Sequence, residues 1–269
     1  MNKDTIIVSM TTWPPRADFA VMAMEALTQQ KHSEPVHFVL TLSKDEWENE
    51  PKRDSLIHSM CTLGVEIIWD EGNVLSHKKL IPTIERYPDN PVLVVDDDKL
   101  QQKGWLEQFI QDHRQYPNDI IYGNASSRVV IRRGRIEEGI SQRGIYTYPG
   151  RVTYNEKPAN GSAGTLYPAH TFTDPRFFDR ELFMRLTPTS DETWQWAWAV
   201  MQGYTYRCLS DRNKAMSIGD CVKPLFHTNI RKYTEYHNAI ADEFPEYKTA
   251  LEDRIKRNPN KYALKYNEL

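Results

Sequence analysis

Pro91-Val92-Leu93-Val94-Val95-Asp96-Asp97-Asp98 sets an unbroken apolar run directly against three carboxylates. Such a run lacks the in-out alternation of a half-exposed strand and predicts a central strand covered on both faces, as in a parallel sheet. It stops without a transition, so the acidic triplet marks where the chain leaves the core. Upstream, a helix is expected from about His77 to Tyr87, preceded by a strand Val65 to Trp69, a helix from about Lys44 to Cys61 and a strand Val36 to Leu42. The earliest strand, Thr5 to Met10, is closed by Thr11-Thr12-Trp13-Pro14-Pro15, where the proline pair stiffens a turn. Asp18 would then cap a helix whose Phe19, Met22, Ala23, Ala26 and Leu27 fall on one face. Strands alternating with helices predict an α/β fold with a mostly parallel sheet. Ligands of open α/β sheets bind beyond the carboxyl ends of the strands, so the loops after Met10, Leu42, Trp69 and Val95 should line one crevice.

Beyond about Tyr116 the pattern loosens into short strands and turns. A helix near Asp191 carries Trp194, Ala197, Trp198 and Met201, with Trp196 and Val200 on its flanks, and reads as core. No internal repeat or linker divides the chain, which reads as a single domain over residues 1–269.

With 34 Lys plus Arg against 37 Asp plus Glu, the net charge of −3 excludes a nucleic-acid binder that works by bulk charge. At 39% hydrophobic residues the chain can bury a sizeable core. No run approaches the ~20 apolar residues of a membrane span, and the N-terminus lacks a leader pattern, so a cytoplasmic protein is expected. Cys61, Cys208 and Cys221 form no C-x-x-C pair and read as buried thiols.

Three adjacent carboxylates repel one another and are best tolerated beside a cation or a hydrogen-bonding ligand. On an extended chain Asp96 and Asp98 point the same way, so the two could share one Mg²⁺ or Mn²⁺ bridging a diphosphate, while Asp97 faces elsewhere. A solvated turn or a helix cap is the alternative for such a triplet. Asp191-Glu192, opening the Trp-rich helix after Pro188-Thr189-Ser190, would either cap that helix or supply a general base.

Taken together, Ser9-Met10-Thr11-Thr12-Trp13-Pro14-Pro15-Arg16, Ser76-His77-Lys78-Lys79-Leu80-Ile81-Pro82, Val94-Val95-Asp96-Asp97-Asp98, Leu166-Tyr167-Pro168 and Pro188-Thr189-Ser190-Asp191-Glu192-Thr193-Trp194 resemble, in order, motifs of bacterial nucleotide-sugar-dependent glycosyltransferases that build capsular polysaccharide and lipopolysaccharide. A more distant likeness to the N-acetylglucosaminyltransferase of heparosan synthesis rests on the Pro-Pro-Arg turn and the triplet. The resemblance implies a GT-A fold with a D-x-D motif, residues 1–115 forming the nucleotide-binding half and 116–269 the acceptor-facing half. It places Thr11, Thr12, Arg16, Asp70, Lys79, Asp96 and Asp97 on the nucleotide sugar. Arg16 would meet a phosphate, Lys79 the base or diphosphate, Asp70 uracil, and Asp96 the ribose or sugar. Asp98 would ligate Mn²⁺ or Mg²⁺, with Asp96 and the late histidine His227 completing the metal site, and Asp191 or Glu192 would be catalytic, the aspartate being the one the resemblance fixes more firmly. Glu192 departs from the commoner Asp-Asp pair, and Gly161-Ser162-Ala163-Gly164 is poorer in glycine than the family's turn.

The implied donor is a nucleotide sugar, most simply a UDP-sugar, and the acceptor a glycan or lipid-linked oligosaccharide. Inversion of configuration is the favoured outcome. Arg128, Arg132, Arg133, Arg135, Arg143 and Arg151 read as a solvated face or as an electropositive mouth for an anionic acceptor. The stretch Tyr233 to Leu269 reads as a packing helix with a polar tail, leaving peripheral contact with the inner face of a membrane open. Two rivals are a sugar nucleotidyltransferase and a non-catalytic carbohydrate-binding protein. The first would carry a Gly-rich phosphate loop, and Ile6 to Arg16 contains no glycine. The second would not need a buried strand ending in carboxylates.

Overall fold

The computed structural model describes residues 1–123, 125–139, 145–146, 149–158, 163–210, 215–218 and 229–258. The chain opens with β1 (Ile6–Thr11), a 3₁₀ turn (Pro14–Arg16), α1 (Ala17–Thr28), β2 (Val36–Ser43), α2 (Lys44–Trp47), α3 (Arg53–Thr62) and β3 (Glu66–Asp70). A second 3₁₀ turn (Leu75–Lys79) and α4 (Ile81–Arg86) lead into β4 (Val92–Val94). There follow β5 (Lys99–Leu100), α5 (Trp105–Gln115), β6 (Ile120–Tyr122), β7 (Ala125–Arg132), β8 (Arg135–Gly139), β9 (Ile145–Tyr146), β10 (Val152–Thr153), β11 (Glu156–Pro158) and β12 (Thr165–Tyr167). The chain continues through α6 (Arg180–Leu186), α7 (Asp191–Met201), β13 (Tyr206–Cys208), β14 (Met216–Ser217), α8 (Tyr233–Glu243) and α9 (Pro245–Lys256).

Among the described residues, eight strands form the central sheet in the order β10-β13-β6-β12-β4-β1-β2-β3. The β4-β1-β2-β3 run is parallel throughout, and β13 runs parallel to β6. Against these, β12 lies antiparallel between β4 and β6, and β10 antiparallel to β13. The sheet is therefore large and mostly parallel, as the alternation of elements predicts. A smaller antiparallel sheet, β11-β7-β8 with β9 on β7, is not hydrogen-bonded to it but buries Val129 and Ile136 in the same apolar layer as Val92 and Val94.

Burial on both faces of β4 explains its sequence. Val92 and Val94 join Ile7 and Trp194 in one apolar layer, while Leu93 and Val95 join Val8 and Trp105 in the other. Helix α7 lies wholly in the first layer, with Trp194, Trp196 and Trp198 all buried, so its aromatic residues are core as expected. Trp194 Nε1 donates to the Phe177 carbonyl at 3.0 Å, satisfying the indole inside an otherwise apolar cluster.

Several local expectations need correction. The helix expected from Lys44 to Cys61 is two helices, because Pro51 lacks an N–H and disfavours helical backbone at the residue before it. Pro82, in the first turn of α4, lacks the N–H that would continue the Leu75–Lys79 turn into it, so the helix expected from His77 to Tyr87 is divided. Asp18 does not cap α1 but lies inside its first turn, exposed and paired with Lys52 at 2.7 Å. The buried face of α1 is Ala17, Ala20, Ala23, Met24 and Leu27, and Met22 is exposed. Small alanines let the helix lie close to the sheet, and that rotates the larger Phe19 and Met22 outward. Leu166 and Tyr167 are the buried end of β12. Cys61 is exposed on α3 whereas Cys208 is buried; Cys221 lies outside the described residues.

The entry to β12 depends on a glycine. Gly164 has φ +83, and a Cβ there would lie 2.4 Å from the Trp105 ring and 3.3 Å from Phe109. Left-handed backbone costs a non-glycine residue about 1–2 kcal/mol, and overpacking about 1–3 kcal/mol more. Gly164→Ala should therefore lose about 2–5 kcal/mol of unfolding free energy in a urea titration, with an unchanged m-value.

Candidate active site

The carboxyl ends of β1 and β4 lie side by side, with Ser9 registered against Val94. The chain turns immediately after each. Asp97 and Asp98 form a turn and not an extension of the strand, so the alternation that would aim Asp96 and Asp98 together does not apply. Arg16 instead gathers Asp97 and Asp98, its Nη1 lying 3.0 Å from Asp97 Oδ1 and 3.1 Å from Asp98 Oδ2. Thr12 donates to Asp97 Oδ2 at 2.6 Å. Burial pushes the Asp97 carboxyl up to about 6, against the pull of Arg16 and the Thr12 hydroxyl. The Pro-Pro-Arg turn thus works first as a clamp on the triplet. Arg16 keeps its Nε buried and without an acceptor.

Asp96 turns the other way. Its Oδ1 accepts from Lys79 Nζ at 2.9 Å, and the same ammonium lies 3.3 Å from Asp191 Oδ2. Lys79 is buried, neither a surface lysine nor one extended toward a donor molecule. Burial would lower its pKa, but Asp191, Asp96 and Glu192 outweigh that and hold it above the ordinary lysine value. The residues flanking it are fixed too. His77 is buried, stacked on Phe183 with ring centroids 4.5 Å apart, and its Nε2 donates to the Thr187 carbonyl at 2.9 Å. Lys78 is also buried, held by Glu46 and by Asn73 Oδ1.

Asp191-Glu192 opens α7, yet neither residue is its cap. Ser190 is the N-cap, its Oγ accepting from the Thr193 amide at 3.4 Å. Thr189 is tied to Asn229 and Tyr236, which anchors the loop just before it. Asp191 is 3% exposed and also accepts from Gln195 Nε2 at 3.2 Å; Gln195 Oε1 in turn accepts from the Tyr167 hydroxyl at 2.9 Å. The Glu192 side chain keeps 20% exposure. Its Oε2 lies 3.4 Å from both Lys157 Nζ and the Tyr233 hydroxyl. Burial pushes its pKa up, Lys157 opposes the rise, and Asp191 adds to it. Glu192 thus combines access to solvent with a raised affinity for a proton, whereas Asp191 is nearly fully buried.

The remaining nucleotide-side candidates are partly committed within the protein. Thr11 donates to the Thr41 carbonyl at 2.8 Å, bracing β1 on β2. Asp70 is buried at the end of β3 and paired with Arg180 from α6. Arg132, Arg133 and Arg135 sit exposed around the β7–β8 turn; Arg143 and His227 lie outside the described residues. Sequence patterning gave no sign of Lys157, Tyr233 or Gln195, because each is a single polar residue in a short or mixed segment.

A divalent cation can be tested against these groups. Asp98 Oδ1 is buried and accepts no hydrogen bond, so it is an oxygen a hard cation could take, in competition with the Lys99 ammonium 3.4 Å away. Asp96 shares its other oxygen with Lys79 but remains 30% exposed. Among the described residues no three His, Cys, Asp or Glu side chains form a ready-made ligand set. The donor chemistry fits a cation held on Asp98, with further ligands coming from substrate and water, as is usual for Mg²⁺ beside phosphates.

No protein-family model and no curated protein sequence matches this chain. The fold does match solved structures. A structure of residues 1–349 of Staphylococcus aureus TarS superposes with a TM-score of 0.58 at 13% identity, covering 98% of this chain and 75% of that one. The same segment in complex with UDP gives a TM-score of 0.55 at 13% identity, covering 94% of this chain and 71% of that one. Its complex with UDP-GlcNAc gives 0.51 at 12% identity, covering 94% and 80%. At these identities the likeness is one of fold. No helix among the described residues is long and apolar enough to cross a membrane.

Lys79→Met should leave Asp96 and Asp191 facing one another without a cation, at about 3–5 kcal/mol of folding free energy for a buried pair broken on one side. Adding Asp191→Asn should recover part of that loss. Chemical denaturation of the single and double variants measures both effects.

Proposed function

We propose that this protein is a metal-dependent glycosyltransferase that moves a hexosyl or N-acetylhexosaminyl group from a UDP-sugar to a hydroxyl of a bacterial surface glycan, of capsular or lipopolysaccharide type, with inversion. The observation that carries the reading is the convergence, at the carboxyl end of β4, of the Asp96–Asp98 triplet with the Asp191-Glu192 pair through Lys79. It is supported by the shared fold with TarS, a glycosyltransferase whose structures hold UDP and UDP-GlcNAc, and by the ordered motifs of the sequence.

In this reading Arg16 holds Asp97 and Asp98 in their turn and presents its partly exposed guanidinium to a phosphate oxygen. Asp98 would hold the cation, with further ligands from substrate and water. A divalent cation, Mn²⁺ or Mg²⁺, neutralises charge on the leaving diphosphate when bound. Lys79 keeps the Asp96 and Asp191 carboxylates apart and oriented. Glu192 takes the proton of the acceptor hydroxyl while that oxygen forms its bond to the anomeric carbon; the bond from that carbon to the diphosphate oxygen breaks, and its electron pair leaves with UDP. Asp191, nearly fully buried and paired with Lys79, orients the N-terminus of α7 and does not exchange the proton.

Isothermal calorimetry with UDP and Mn²⁺ tests the donor site. Asp98→Asn should weaken that binding at least tenfold without changing thermal stability by more than a few degrees. Glu192→Gln should bind UDP as the wild type does yet lose on the order of 10² to 10⁴ in turnover, the usual contribution of a positioned general base. UDP affinity unaffected by chelator, or normal turnover of Glu192→Gln, counts against the respective assignment.

A further inference from the structure

Behind Glu192 lies a buried polar cluster that none of the preceding steps uses. Lys157, on β11, is 2% exposed although its segment lies in the smaller sheet. Its ammonium is 3.3 Å from Glu138 Oε1 on β8 and 3.4 Å from Glu192 Oε2 on α7. The Tyr233 ring of α8 closes a third side, with its centroid 4.3 Å from Nζ. Burial would lower the lysine's pKa, but Glu138 and Glu192 hold it above its usual value. This lysine is therefore charged and has carboxylates on two sides and an aromatic face on the third.

Glu138 is itself held in place. Its side chain is fully buried, Ser127 donates to Oε1, and His237 Nε2 lies 2.9 Å from Oε2. A carboxylate only accepts, so His237 Nε2 carries the hydrogen, and its Nδ1 accepts from the Tyr247 hydroxyl at 2.7 Å. Burial lowers the His237 pKa and keeps the ring neutral. Burial would raise the Glu138 carboxyl, but Lys157 and His237 hold it below the usual glutamate value. The resulting line runs Tyr247, His237, Glu138, Lys157, Glu192, and ties α9, α8 and the small sheet to the first turn of α7.

Such a cluster is a costly way to achieve packing alone, because apolar residues of similar volume are often at least as stable. Its outer end is Glu192 Oε2, which Lys157 and Tyr233 both contact; Oε1 takes no hydrogen bond from a described residue. We propose that Lys157, fixed by Glu138 and His237, is a positioning residue that holds Glu192 by Oε2 and so leaves Oε1 to meet the acceptor hydroxyl. The inference rests on the reading of Glu192 as the general base.

The charged and titratable groups around Glu192 are Asp191 on its own helix, Lys79 from the 3₁₀ turn, Asp96 after β4, Lys157 from β11 and Tyr233 from α8. Removing Lys157 takes away a cation that favours the ionised carboxylate, so the Glu192 midpoint should rise. Removing the charge of Glu138 frees Lys157 for Glu192, so the midpoint should fall. These shifts report the charge contact between Lys157 and Glu192; a loss in kcat with UDP affinity unchanged is the readout that a purely structural role would not give.

The test follows the side-chain carboxyl carbon of Glu192 by NMR in glutamate-labelled full-length protein, assigned by its loss in Glu192→Gln. The wild type is compared with Glu138→Gln, Lys157→Arg and the double variant Glu138→Gln with Lys157→Met, in which no buried charge is left unpaired at position 138. Turnover of UDP-GlcNAc to water with Mn²⁺ and calorimetry with UDP accompany each titration. The double variant should titrate higher than the wild type and lose at least tenfold in kcat near neutral pH, with UDP affinity within twofold. Glu138→Gln should titrate lower, and Lys157→Arg should restore most of the wild-type midpoint. Glu138→Gln removes no heavy atom and carries the test even if the methionine variant fails to fold. An unshifted midpoint in Glu138→Gln, or in the folded double variant, overturns the role of Lys157. Shifted midpoints with full turnover in Glu192→Gln would instead overturn the general-base reading, and the positioning role with it.

Discussion

A single buried ammonium fixes the geometry on which everything else at this end of the sheet depends. Lys79 Nζ joins Asp96, at the end of the strand that leaves the core, to Asp191, at the start of the most deeply buried helix. In a low-dielectric interior two carboxylates cannot approach one another without a cation, and a cation cannot be buried without carboxylates. Each of the three groups is thus the condition for the other two. The 3₁₀ turn that carries Lys79 is correspondingly rigid: His77 and Lys78 are buried beside it and each has its own partner. Little freedom is left for the first turn of α7 to move relative to the end of β4.

The same economy of charge recurs twice. Arg16 spans Asp97 and Asp98, and Lys157 spans Glu138 and Glu192, so each of three basic residues lies between two acidic ones. This arrangement limits how far any one carboxylate can move without separating a pair. A preorganised site of this kind spends little on reorganisation when charge develops on a substrate.

Much of the fold was legible because it follows from local rules. The apolar run Val92 to Val95 specified a strand buried on both faces, the β-branched run at Ile6 to Val8 its neighbour, and the tryptophan-rich segment a core helix. The breaks at Pro51 and Pro82 were legible in principle, since each proline stood in plain view inside an expected helix. The site was legible only as a collection of residues. Asp96, Asp98, Lys79, Asp191 and Glu192 could all be singled out, but which of them pair is decided by chain crossings between residues far apart in sequence. Lys157, Glu138 and His237 carried no periodicity and no motif; three elements must pack before their charges meet, and that information is tertiary.

The antiparallel strand β12 carries a consequence for the chain's birth on the ribosome. Its residues Thr165 to Tyr167 fill the slot between β4 and β6, although β4 is finished at Val94. At a translation rate of about 5–20 residues per second, the outer edge of β4 waits roughly 4–14 s for its partner to emerge. Throughout that interval the most apolar strand of the protein presents unpaired amides and carbonyls, the template on which unrelated chains add by edge pairing. Slowing elongation between β4 and β12 would lengthen the exposure of this edge in direct proportion.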